Sequence, residues 1–100
     1  MWYLVLSRFN TSPDEVGKMS QEHLAWMERQ HQSGKVLFSG PTPDRSIGIY
    51  VVRAGSYNEA RALVDTDPFH VAGLRGYEII EWEIHQVLGA GTFTSPVSRG

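Results

Sequence analysis

One hundred residues, an apolar share of 41%, a net charge of −2 and no cysteine bound the chain to one small domain. They exclude disulfides, a thiol nucleophile and a thiolate metal site. The lack of a basic cluster argues against a nucleic-acid partner, which needs concentrated Lys and Arg. No apolar run nears the roughly 18 residues of a membrane span and no basic leader precedes Trp2, so a cytoplasmic domain without a membrane partner is expected.

Trp2 to Phe9 reads as a first strand, and both of its alternating sets, Trp2/Leu4/Leu6 and Tyr3/Val5/Phe9, are apolar. Ser12-Pro13-Asp14-Glu15 spells a capping box with proline at the first helical position, predicting a short turn that ends near Gly17. Ser20 is placed to cap a longer helix from about Gln21 to Ser33, closed by Gly34. Leu24, Met27 and His31 form its expected buried stripe, with His23, Trp26 and Gln30 on an adjacent stripe at the edge. Lys35 to Ser39 gives a second strand, and Gly40-Pro41-Thr42-Pro43-Asp44 a loop too rich in proline to extend it. Ile47 to Arg53 is a third strand. A second capping box, Ser56 to Glu59, opens a helix with Ala60, Leu63 and Val64 on one face. Beyond Asp67-Pro68 and Gly76, Tyr77 to His85 is a fourth strand. Glycines, a proline and hydroxyls from Gly89 to Gly100 predict a flexible tail on a domain spanning residues 1–88.

The order β-α-β-β-α-β predicts an α+β fold, a ferredoxin-like sandwich with two helices on one face of an antiparallel sheet. The second apolar face of the first strand then lacks a cover within the chain. A homodimer packed sheet against sheet supplies one.

Chemistry concentrates near Asp67-Pro68-Phe69. Asp67 is explained as an N-cap without any function, but a carboxylate has lone pairs to spare for a histidine. Both helices share a sheet face, so the segment after the second can reach the first. His23 is therefore the histidine best placed to meet it, although a partly exposed helix histidine with no function is the plainer reading of the residue by itself. Phe9, Trp26 and Phe69 suit an apolar pocket for a ring, or a plain core. Ser39, Gly40 and Pro41 suit a close ligand approach, or a plain turn. The histidines show no recognised ligand spacing, so no metal is expected.

Glu22-His23-Leu24, Ser33-Gly34-Lys35-Val36-Leu37, Ser39-Gly40-Pro41, the Ser56/Glu59-Ala60 helix start, and Asp67-Pro68-Phe69 with Ala72-Gly73-Leu74 follow one another in an order that resembles the YCII-related proteins. The resemblance runs from about residue 1 to 87. It implies a dimeric α+β barrel whose active site pairs His23 with Asp67, in a family that includes a dehydrochlorinase of a chlorinated hydroxyquinol. Glu81 stands where the family often has proline, and the tail is extra.

The combined expectation is a cofactor-independent enzyme in which His23 moves a proton on a small cyclic or aromatic carbonyl or phenolic substrate. Asp67 orients it, and Phe9, Trp26, Ser39, Gly40, Pro41 and Phe69 bind the ring. Elimination or isomerisation fits two proton-handling groups without a nucleophile. The alternative is a non-catalytic dimeric module that binds a small ligand or assists another enzyme. Cofactor-free oxygenation, known in other dimeric α+β barrels, is a third reading by fold analogy.

Overall fold

The computed structural model describes residues 1–88 and the backbone of 91–92. The expected tail, 89–100, otherwise lies outside the described residues. The elements are β1 (Trp2–Phe9), α1 (Pro13–Gly17), α2 (Ser20–Gln32), β2 (Val36–Pro41), β3 (Ile47–Arg53), α3 (Tyr57–Val64), α4 (Pro68–Val71), β4 (Arg75–Trp82), β5 (Gln86–Val87) and β6 (Gly91–Thr92). Four strands form one antiparallel sheet in the order β2-β3-β1-β4, and β5 and β6 pair separately. This is the ferredoxin-like α+β arrangement. Each crossover, β1 to β2 and β3 to β4, skips one strand and carries helices.

Period-two alternation divides the sheet. Tyr3, Val5 and Ser7 of β1 are buried, and their partners Val52, Tyr50 and Gly48 of β3 share their face. That face packs with Trp26 and Met27 of α2 and with Ala60 and Val64 of α3 in one core cluster. On the other face Leu4 lies opposite Val51 and Ile80, Leu6 opposite Ile49, and Trp2 opposite Trp82. Of these, Ile49, Ile80 and Trp82 are exposed, so an apolar sheet face stands uncovered.

Local chemistry sets the helix ends. Ser12 Oγ accepts from the Glu15 N–H, and Ser56 Oγ accepts from the Glu59 N–H at 3.1 Å, as both capping boxes predict. Gly34 and Gly73, at φ +76° and +73°, close α2 and α4 in paired backbone bonds: Gly34 to His31 and Lys35 to Gln30, then Gly73 to His70 and Leu74 to Phe69. Glycine is suited to both positions because a Cβ strains this left-handed backbone.

Four expectations change. Met19, not Ser20, is the N-cap of α2; the Ser20 hydroxyl instead donates to Val16 O, because α1 and α2 nearly abut. The buried stripe of α2 is Trp26 and Met27, whereas Leu24 is 64% exposed and His31 is exposed, so the helix is rotated from the expected phase. β2 continues through Gly40 and Pro41, pairing them with Ile49 and Gly48. As an edge strand it tolerates a residue without an N–H. β4 starts two residues earlier, at Arg75, and stops at Trp82.

Candidate active site

The Asp-Pro step builds the site's carboxylate. Asp67 caps α4, with Oδ1 accepting from the Phe69 N–H at 3.0 Å. The same oxygen lies 2.8 Å from His23 Nδ1 of α2. Asp67 is 1% exposed and the His23 side chain 15%. An ionised carboxylate only accepts, so the imidazole proton in this bond sits on Nδ1. That leaves Nε2 with a lone pair for a proton from a ligand, and His23 lines the cleft described below.

Arg75, opening β4, completes a charged cluster. Its Nη1 lies 3.6 Å from Asp67 Oδ2 and donates to Ser7 Oγ at 2.8 Å. Its guanidinium is held between the rings of Phe9 and Phe69, 4.5 and 4.3 Å from their centroids. Phe69 also stacks on His23, with centroids 4.4 Å apart and planes 24° apart. Burial pushes the Arg75 pKa down, opposed by the neighbouring Asp67 charge and by Tyr50. Burial raises the Tyr50 pKa, reinforced by Asp67 and opposed by Arg75, so Tyr50 stays a neutral phenol.

An open cleft of about 950 Å³ lies against this cluster. His23, Phe9, Phe69, Tyr50 and Arg75 contribute to its wall, as do Leu24 and Met27 of α2 and the end of β2. Residues 44–46, the tip of the β2–β3 hairpin, complete the wall. Asp44 fixes this tip by accepting from the Ser46 N–H and from the hydroxyls of Thr42 and Ser46. These bonds, the Ser46 N–H foremost, hold its carboxyl at about 2. Arg45 between them is the one non-glycine residue with positive φ among the described residues, at 65°.

The cleft wall thus gathers Phe9, His23, Ser39, Gly40, Pro41 and Phe69 of the expected residues. Asp67 stands behind His23, and Trp26 is not part of the wall. The indole of Trp26 is 3% exposed in the core, and its Nε1–H donates to Thr66 Oγ1 at 2.8 Å, tying α2 to the segment before Asp67. The Ser39 hydroxyl is 2.7 Å from His31 Nε2 at the exposed end of the helix. Phe9 and Phe69 hold a cation as well as walling a pocket.

Arg75, Ser7 and Tyr50 were not singled out from the sequence. The available signal was phase: Arg75 alternates with Tyr77 and Ile79, and Ser7 with Tyr3 and Val5, so both are polar residues on the covered face. Among the described residues no group of three or more His, Asp and Glu side chains is placed to hold a metal ion.

A family model described as YCII-related domain matches residues 1–83. An uncharacterised protein of Bacillus subtilis, YjpA, is 31% identical over a 71-residue alignment that covers 67% of this chain and 84% of that protein. Among solved structures, the 5-chloro-2-hydroxyhydroquinone dehydrochlorinase TftG of Burkholderia phenoliruptrix, in complex with 2,5-dihydroxybenzoquinone, superposes with a TM-score of 0.71. It is 25% identical, and the match covers 82% of this chain and 93% of that one.

Proposed function

The chain belongs to the YCII-related family, and on that premise we propose that it is a small cofactor-independent enzyme of lyase or isomerase type acting on a quinone- or phenol-class ring. The observation that carries this reading is the His23 Nδ1–Asp67 Oδ1 contact of 2.8 Å beside an open cleft. Asp67 fixes the tautomer and offsets the charge that His23 acquires. Nε2 takes a proton from the substrate. In an elimination, the electron pair released by that proton forms the new double bond as the leaving group departs with its own pair. In an isomerisation the proton returns at another atom of the ring. The dehydrochlorinase activity and the quinone ligand of TftG support the substrate class. An accessible cleft beside the pair favours catalysis over a non-catalytic binding module.

Homodimerisation is part of the same reading. Ile49, Ile80 and Trp82, with half-buried Leu4 and Leu6 between them, make an apolar sheet face that the described residues leave uncovered, and a second copy covers it with like surface.

Chloride release from 5-chloro-2-hydroxyhydroquinone tests the chemistry. We expect His23→Gln to retain the fold and lower the rate by 10²-fold or more, about the contribution of a general base. Unchanged chloride release in that variant, or a wild-type chain that neither binds nor turns over any quinone or chlorinated phenol, refutes the reading.

A further inference from the structure

Four buried side-chain polar atoms lack a hydrogen-bond partner among the described residues, and three of them, Tyr50 Oη, Asp67 Oδ2 and Arg75 Nε, belong to this one cluster. Two have an electrostatic account. Asp67 Oδ2 faces the Arg75 guanidinium at 3.6 Å, and Arg75 Nε is part of that delocalised cation, held between two rings. The Tyr50 hydroxyl has none. Tyr50 is 2% exposed, yet its hydroxyl neither donates nor accepts. An unsatisfied buried hydroxyl destabilises the folded state by its desolvation cost, and phenylalanine would fill nearly the same space without it. The ring itself is accounted for, lying edge-on to Trp26 at 6.1 Å within the core cluster. The oxygen is not.

We propose that the Tyr50 hydroxyl is the hydrogen-bond donor for an electron-rich oxygen of the ligand, the carbonyl or phenolate-type oxygen of a ring held in the cleft. Tyr50 belongs to the cleft wall together with His23, Arg75 and Gly48. A Cβ at Gly48 would reach contact with Arg75 Nη1, at 3.4 Å. The phenol remains protonated because burial and the Asp67 charge oppose its ionisation, so it keeps a proton to donate. Arg75 partly offsets the Asp67 charge at this hydroxyl. This inference rests on the proposed function and adds to it the atom that selects the ligand: a ring bearing no such oxygen leaves Tyr50 unsatisfied and is discriminated against.

Tyr50→Phe separates a ligand donor from a structural residue because the two roles predict opposite signs. Removal of an unpartnered hydroxyl should raise the melting temperature by roughly 4–8 °C in a chain of this size. It should also weaken binding of 2,5-dihydroxybenzoquinone, the probe, by roughly tenfold, about one hydrogen bond. Calorimetric titration of both proteins reads the second effect and thermal unfolding the first. A stabilised variant with weakened binding supports the proposal. Equal binding in the two proteins overturns it while leaving the roles of His23 and Asp67 standing. A variant that is destabilised overturns it too, by showing that the hydroxyl holds the fold. A wild-type chain that does not bind the probe at millimolar concentration overturns both the inference and the function it rests on.

Discussion

Replacing Arg75 by methionine tests how the cluster is balanced. The methionine stem can occupy the slot between Phe9 and Phe69 with favourable sulfur–ring contacts, so packing is largely kept and charge is lost. Asp67, at 1% exposure, then retains only the Phe69 N–H and His23. Breaking a buried ion pair by removing one partner costs about 3–5 kcal/mol, because the survivor stays desolvated and uncompensated. Urea unfolding followed by circular dichroism at pH 8 should show a loss of that size. A loss under about 1 kcal/mol would refute the charge-balance argument.

The wild type should run as a dimer by light scattering, and Ile80→Lys should run as a folded monomer, because Ile80 is 41% exposed in the single chain. Ser56→Ala removes the oxygen that accepts from the Glu59 N–H and should cost about 1 kcal/mol in urea unfolding. Tyr77, whose pKa is pushed up to about 12 by burial and by its hydrogen bond to Asp65, should ionise last among the partly exposed phenols; Tyr77→Phe should remove the absorbance step near that pH. Because its folded pKa is raised, Tyr77 contributes stability below pH of about 10 that disappears as pH rises through about 12.

The element order and the helix punctuation were legible because they are local. Ser12, Ser56, Gly34 and Gly73 act within a few residues of themselves, and a short-range pattern suffices to read them. Errors arose where a neighbour in space decided the outcome. Leu24 looks like core by its type, but it faces the cleft, while the Trp26 beside it is buried because Thr66, 40 positions away, accepts its indole N–H. Pro41 reads as a strand end unless its strand is known to lie at the sheet edge, which only the order β2-β3-β1-β4 reveals. Arg75 was hidden by Gly76, taken as a separator, although Gly76 lies inside the strand opposite Arg8. Asp67 was legible as a cap, and its contact with His23 lies within the geometry the fold allows. The buried guanidinium behind it left no local mark.

The four residues of α4 are too few to persist as a helix by themselves. Their geometry is borrowed from the Asp67 cap, the Gly73 closure and the burial of Phe69. One oxygen, Asp67 Oδ1, both caps this turn and holds His23, so an opening of the turn removes one of the two bonds that fix that oxygen. The amide hydrogen of Phe69 reports on this anchoring. Its exchange with solvent counts the openings of α4, and each opening is an interval in which the carboxylate facing the imidazole has lost its tie to the turn.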